Sequence, residues 1–97
     1  MKIQRINPTL APGYNCLKMP GSFEFVGIHT SGNGNVYATA LIGVHNTAPL
    51  EAWVLLIGLD TEFPVIPENQ DFEYIGTVQV TNEHGVQDWF AYEIIEY

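Results

Sequence analysis

The side chains best suited to metal binding are three histidines and one cysteine, and they are scattered along the chain. His29, His45 and His84 each stand near a strand end or in a turn of the pattern described below, and Cys16 is the only cysteine. None of the four has a partner at the spacing of metal ligands, so they would form a metal site only if the fold gathered them. We therefore expect no metal, no cofactor and no internal disulfide, and a small buried thiol at Cys16.

Carboxylates beside a histidine, or in pairs, are the residues that could support acid–base catalysis. His84 follows Glu83 with Asp88 nearby, while Glu24 and Glu73 occupy equivalent positions of a repeated motif. An acid–base pair needs a group to activate, and no serine or cysteine stands in a nucleophile motif. Two carboxylates facing each other in a cleft could catalyse hydrolysis, whereas carboxylates on solvated sheet surfaces are commoner. The sequence therefore favours a protein that is not an enzyme.

Aromatic residues, cations and a glycine-rich loop could instead bind a nucleotide. Aromatic rings stack on bases, lysine and arginine pair with phosphates, and the N–H groups of a Gly-Asn-Gly loop can surround a phosphate. The loop lacks the lysine and helix of a P-loop, and hairpin turn chemistry also explains it. Most of the aromatic residues suit the core or cross-strand pairs equally well. The eight candidate residues for ligand binding are Arg5, Tyr14, Lys18, Gly32, Gly34, Tyr37, Trp53 and Trp89.

Charge is distributed very unevenly along the chain. Three basic residues, Lys2, Arg5 and Lys18, stand against eleven acidic ones, for a formal charge of −8, and residues 19–97 contain no lysine or arginine. Such a surface repels nucleic-acid backbones and anionic membranes, so we expect neither duplex nucleic acid nor a membrane as a partner. The acidity indicates either ordinary solubility or attraction to a basic partner.

The elements that must position these residues are β-strands. Segments rich in β-branched and aromatic residues alternate with turns containing Gly, Asn and Pro. Residues 51–59 are apolar on both faces, which indicates a central strand or an interface strand, with a helix as the other interpretation. Phe72, Tyr74, Val78 and Val80 are predicted to share one face of a strand. The predicted strands are 2–6, 14–18, 22–30, 35–45, 51–59, 72–80 and 87–96.

These segments predict an all-β fold, a single domain over residues 1–97. We expect a small sandwich or partly open barrel of about six to seven mostly antiparallel strands. The sequence FEFVG at 23–27 matches FEYIG at 72–76, and each copy is followed by a turn and a second strand. The repeat predicts two hairpins of one design, with strand 51–59 between them.

Length and hydropathy give further expectations. The 97 residues are 46% hydrophobic, and the first ten contain no apolar segment of a signal peptide. No stretch approaches the roughly 18 apolar residues of a membrane-spanning helix, so we expect a cytoplasmic protein. Because so short a chain buries a modest fraction of its surface, we also expect a homo-oligomer.

Four segments stand out: MKI at 1–3, KMPG at 18–21 before a strand, FEYIGTVQ at 72–79, and the closing aromatic strand WFAYE at 89–93. Together they resemble a family of small uncharacterised β-domains found in phages and prophages. In that family an "MP-strand" leads to a "Y-I-G-T-x-Q" strand and a terminal aromatic-Tyr/Phe-Glu strand, and the resemblance covers most of the chain. It implies a phage setting, the host-cell cytoplasm and no known catalytic residues.

A phage setting favours a counter-defence protein that acts by stoichiometric binding. The leading hypothesis is an oligomer whose interface pocket sequesters a nucleotide-type immune signal, with the aromatic candidates stacking on bases and Arg5, Lys18 and loop 32–34 holding phosphates. The alternative is an acidic inhibitor that binds a basic surface of a host defence effector such as a CRISPR complex, in the manner of an anti-CRISPR or nucleic-acid mimic. A structural or virion-assembly role is a third hypothesis.

Overall fold

Six antiparallel β-strands make up the regular structure. The computed structural model describes residues 4–32 and 34–97, without the side chains of residues 44–49 and 82. Within these residues there is no helix, so the all-β prediction is confirmed and the alternative of a helix at 51–59 is wrong. The strands are β1 Gln4–Ile6, β2 Thr9–Leu10, β3 Gly13–Thr30, β4 Val36–Gly58, β5 Gln70–Asn82 and β6 Gly85–Glu96.

β4 is the central strand of the single sheet. It pairs with β3 on one edge along most of its length, and its other edge pairs first with β1 and β2 and then with β6. β5 pairs with β6 and completes the sheet. Most of the buried hydrophobic side chains lie on β4, as expected for a strand with neighbours on both edges: Val36, Ala38, Ala40, Ile42, Ala52, Val54, Leu55, Leu56 and Ile57.

Two predicted turns fall inside strands instead of ending them. Pro20-Gly21 lies within β3 and residues 46–49 within β4, so the separate strands predicted on either side of each are wrong. The register changes here, because Met19 pairs with Leu50 whereas Gly21 pairs with the backbone of His45. Such an irregularity bends and twists both strands without ending their pairing, and it tolerates proline.

The bend folds the long β3–β4 hairpin over on itself into a curled half-barrel. Val36 and Ala38 from one half of β4 pack in one cluster with Val54 and Leu56 from the other half. The molecule measures 44 × 36 × 16 Å, and its Cα radius of gyration is 14.1 Å. A compact domain of this length has a radius of gyration of about 12.5 Å, so the half-barrel is comparatively flat.

The repeated motif forms the two predicted hairpins, and each copy contains a β-bulge. The register shifts between Phe25 and Gly27 in β3 and between Tyr74 and Gly76 in β5. The two bulges meet, since a Cβ placed on Gly76 would lie 3.4 Å from Ile28 Cγ1 and 3.9 Å from Gly27 Cα. The two copies of the repeat therefore supply the contact through which β5 packs against β3.

The β5 bulge also corrects the predicted face of that strand. Tyr74 pairs with Tyr92, whereas Gly76 pairs with Ala91, the next residue of β6. Because neighbouring residues of a strand point to opposite sides, Phe72 and Tyr74 lie on the other side of the sheet from Val78 and Val80. The prediction that all four share one face is wrong.

The remaining strand predictions are largely confirmed. β5 and β6 contain the whole of the predicted strands 72–80 and 87–96. β1 confirms the end of predicted strand 2–6, of which residues 2 and 3 lie outside the described part. The two-residue strand β2 was not predicted. Within the described residues, no helix is long and apolar enough to cross a membrane.

Candidate functional site

Aromatic side chains gather on the side of the sheet opposite the core residues Val54 and Leu56, which we call the outer side. Leu55 lies on this side, paired with Tyr14 of β3 and Tyr92 of β6. Its side chain is nevertheless only 2% exposed. The outer side therefore carries an apolar layer of its own, beyond the core of the half-barrel.

Residues 59–69, which connect β4 to β5, lie over this outer side, and we call them the display loop. The ring centroid of Phe63 is 5.1 Å from that of Tyr92, edge to face, and 5.8 Å from that of Phe72. Tyr92 also contacts the Tyr74 ring at 5.7 Å. Such aromatic contacts contribute beyond the area they bury, so Phe63 fixes the middle of the loop to the sheet.

Backbone hydrogen bonds hold both ends of the display loop. The Leu59 N–H donates to the Asp88 carbonyl at 3.2 Å, and the Tyr97 N–H donates to the Asn69 carbonyl at 2.9 Å. The Tyr97 phenol donates a hydrogen bond to Asp71. This bond, which ionisation would remove, is the main reason that the pKa of Tyr97 is raised. The loop is thus attached at its two ends and at Phe63.

An open groove of about 330 Å³ lies between the display loop and the sheet, and we call it the aromatic groove. Two of its walls are exposed aromatic side chains, Tyr14 at 57% and Trp53 at 42%. Its polar groups include a pair in which Gln70 Nε2 donates to Glu96 Oε1 at 3.2 Å. The lining residues are Tyr14, Trp53, Val65, Pro67, Gln70, Ile94 and Glu96.

Tyr14, Lys18 and Trp53, three of the eight candidate residues, therefore lie on the outer side of one paired segment of β3 and β4. Tyr14 and Trp53 line the aromatic groove, and the exposed Lys18 points the same way because it lies four residues beyond Tyr14 on β3. Lys18 pairs with Glu51 of β4, which places an acidic side chain next to it.

Cys16 lies between Tyr14 and Lys18 along β3, directly opposite Trp53. Its side chain is exposed, so the predicted buried thiol is wrong. The flatness of the half-barrel explains the difference, because residues on the outer side of an edge strand have a neighbouring strand on one side only.

Gly34 and Trp89 meet in a different groove, of about 250 Å³, together with Val36, Leu56 and Val80 among others. Trp89 is half-buried and packs against the core cluster that contains Leu56. Gly34 has a φ of 82°, which suits glycine and closes the β3–β4 hairpin. Gly32 is exposed in the same turn, and Asn33 lies outside the described residues. The turn and the core account for these residues without a ligand.

Arg5 and Tyr37 lie elsewhere again. Arg5 is exposed on β1, opposite Leu41. Tyr37 stacks on His29, with ring centroids 5.4 Å apart and planes at 21°. Lys2 lies outside the described residues. Within the described part of one chain, the eight candidate residues thus occupy several separate places and do not form one pocket.

The two histidines whose side chains are described, His29 and His84, have ordinary local partners. Thr39 Oγ1 donates to Asn7 Oδ1 at 3.1 Å and lies 3.1 Å from His29 Nδ1. His84 Nε2 lies 3.6 Å from Glu83 Oε1 in an exposed turn, and the side chain of His45 lies outside the description. The described residues contain no group of three or more His, Cys, Asp or Glu side chains placed to hold a metal ion.

Two carboxylates face each other across neighbouring strands. Glu73 and Glu93 are directly opposite each other on β5 and β6. The pKa of Glu93 is raised, first by partial burial and then by the charge of Glu73. Glu24 and Glu73, the equivalent glutamates of the repeat, are both exposed as predicted, on different hairpins. The register places no serine or cysteine opposite the Glu73–Glu93 pair.

The display loop is the part of this site that sequence reasoning did not identify. Most of it fell in the gap between the predicted strands 51–59 and 72–80, and its two prolines are typical of such a break. The available signal was an alternation of apolar and acidic residues, in which Leu59, Phe63, Val65 and Ile66 are interspersed with Asp60, Glu62 and Glu68.

Comparison of the chain with protein-family models, with curated proteins and with solved structures finds no match. The geometry of the outer side and the distribution of charge are therefore the basis for the function proposed next.

Proposed function

We propose that this protein acts by stoichiometric binding, without catalysis, and that its ligand is a basic protein surface. The charge distribution carries the proposal. The chain has a formal charge of −8. Its two described cations, Arg5 and Lys18, are exposed and line none of the three grooves that contain candidate residues. Such a surface is attracted to clustered lysine and arginine, and complementary charge accelerates association and selects the partner.

In the phage setting that the sequence resemblance implies, the partner is a host defence effector that binds nucleic acid. The channel of such an effector is basic because it must neutralise phosphates. An acidic protein that occupies the channel competes directly with DNA or RNA and needs no catalytic group.

The experiment is a competition assay on purified CRISPR effector complexes. Binding of each effector to fluorescent target DNA is measured by anisotropy while this protein is added. We expect displacement of the DNA at near-equimolar protein, weakening as NaCl is raised because screening shortens the range of the attraction. A panel of effectors that all retain their DNA at large excess of the protein would reject the proposal.

Sequestration of a nucleotide-type immune signal is the second candidate function. It is favoured by one observation, that Tyr14 and Trp53 open onto one groove with Lys18 on the same side of the sheet. Glu96 in the groove and Glu51 opposite Lys18 oppose an anionic ligand. Arg5 and Tyr37 would have to come from a second copy, so the homo-oligomer stays a prediction of this hypothesis.

A panel of cyclic and linear nucleotides tests the second candidate. A bound nucleotide must raise the melting temperature, because binding only the folded state stabilises it. Lys18→Ala should remove that increase, whereas Arg5→Ala, which changes a cation away from the groove, should not. Recovery of altered nucleotide would instead reveal catalysis.

A further inference from the structure

The display loop exposes more apolar surface than a connection between two strands requires. Val65 is 93% exposed, and Phe63 and Ile66 are each exposed by about two fifths. Val65 also forms a wall of the aromatic groove, so this surface is continuous with Tyr14 and Trp53. Contiguous exposed apolar surface of this kind marks interaction sites in soluble proteins, and Trp and Tyr are enriched at interfaces.

The loop is held in shape before any partner arrives. Pro64 and Pro67 fix their own φ angles, and the two ends and Phe63 are attached as described above. A surface that is ordered in advance loses little conformational entropy on binding. Apolar residues left exposed on such a loop are therefore well suited to docking.

The charges around this surface select the kind of partner. Asp60, Glu62 and Glu68 are exposed on the loop, which contains no lysine or arginine. Glu96 lies in the groove, and the exposed Glu51 stands on β4 two residues before Trp53. A second copy of the chain would bring the same acids against these, and like charges oppose docking, whereas a cationic partner is attracted.

We propose that the aromatic groove and the display loop together dock a short basic segment of a partner protein, anchored by one apolar side chain. The anchor enters the groove between Tyr14, Trp53 and Val65, while flanking lysines or arginines pair with the surrounding acids. The volume of about 330 Å³ is at the lower end for ligand sites, which suits a single anchoring side chain. This inference rests on the proposed function and names the surface through which the protein contacts its partner.

Three synthetic 12-residue peptides test the docking surface. The first has lysines and arginines around one central leucine, the second has a serine in place of that leucine, and the third has glutamates in place of the cations. Each is titrated into ¹⁵N-labelled protein, with the Trp53 indole N–H resonance as a local reporter. We expect the first peptide to bind at least tenfold more tightly than either of the others, with shifts at the groove and the display loop.

Val65→Ser is the decisive variant, with Val86→Ser as its matched control. Both valines are exposed, but Val86 lies at the start of β6 in the other hairpin. Val65→Ser removes one aliphatic contact that the bound peptide would bury, so it should weaken binding of the first peptide roughly tenfold. Val86→Ser should leave the affinity for the first peptide unchanged. Equal affinity in both variants would overturn the inference. The inference would also be overturned if raising the protein concentration without any peptide shifted the resonances of the same residues, because this face would then be an interface between copies of the chain.

The two proposals fail in different ways. If the first peptide docks in the groove but no effector releases its DNA, the proposed function is wrong and the docking surface stands. If Val65→Ser still displaces DNA from an effector as well as the original protein does, the docking surface is wrong and the proposed function stands.

Discussion

Glu93 shows how one side chain can carry a cost that the rest of the fold must offset. It faces Glu73 across β5 and β6, and like charges directly opposite on paired strands are destabilising. Partial burial removes some of the water that would otherwise stabilise the carboxylate, and the pKa of Glu93 is raised for both reasons. Because its pKa is raised in the folded chain, the Glu93 carboxyl group holds its proton more tightly there than in the unfolded chain.

We therefore expect Glu93→Gln to raise the melting temperature at neutral pH. The free energy of unfolding falls as pH rises from the ordinary carboxyl pKa of 4.5 through the raised one, and the penalty is complete above it. The gain from Glu93→Gln should therefore be greatest at neutral pH and vanish below the ordinary pKa. Thermal melts across this range test it, with Glu24→Gln as the control because it removes the same charge from an exposed position. An equal increase in melting temperature in both variants would show that the lower net charge alone causes the stabilisation.

The two hairpins illustrate how a local repeat determines a long-range contact. Each copy of the repeat places one extra residue ahead of a glycine, and the glycines of the two copies approach each other where β5 meets β3. β5 and β3 are not hydrogen-bonded to each other, so this approach depends on side-chain size at the bulges.

Gly76→Val should be destabilising, by about 1–3 kcal/mol as is usual for overpacking. A Cβ at this position already meets Ile28 Cγ1 at 3.4 Å and the Ile28 backbone N at 3.5 Å, so the further methyl groups of valine force β5 away from β3. Gly27→Val is the matched control, because a Cβ there has nothing within 4 Å, and it should change stability little. Urea unfolding gives the free energy of unfolding of each variant relative to the original protein. A similar loss of stability in both variants would show that the contact between Gly76 and Ile28 is not what limits side-chain size at Gly76.

The whole molecule is a flat half-barrel with a strongly negative surface. A formal charge of −8 on 97 residues means that exposed carboxylates repel one another across the sheet. With eleven acidic residues and three basic ones, few cations offset these carboxylates. Self-repulsion of this kind opposes the compact state and equally opposes the association of two copies.

Stability should therefore rise with salt. Between about 10 mM and 150 mM NaCl the screening length falls from about 30 Å to about 8 Å, which removes most repulsion between distant surface carboxylates. We expect a higher melting temperature at the higher concentration, and a smaller increase in a Glu62→Gln, Glu68→Gln double variant that carries two fewer charges. Melting that is independent of salt would show that the acidic side chains are too far apart to interact. Sedimentation at both concentrations would test the predicted homo-oligomer at the same time.

Much of the fold was predictable because its signals are local. Alternation of apolar and polar residues, with Gly and Asn in tight turns, identified the all-β class, the two repeated hairpins and the strands β5 and β6. The unequal distribution of charge, with all three cations in the first eighteen residues, was also plain from the sequence. These features depend on neighbours a few residues apart, so the chain order alone contains them.

Tertiary structure decided the rest, because it depends on residues that are distant in sequence. Pro20-Gly21 signals a turn, but continued pairing of β3 with β4 makes it a bend. The extra residue at Ile75 turns Phe72 and Tyr74 to the outer side, where they join Phe63 and Tyr92. Periodicity cannot reveal a bulge, which is defined only by the partner strand. The sequence by itself therefore determined that this is an acidic β-protein, while only the folded chain brought Tyr14, Trp53 and the display loop together around one groove.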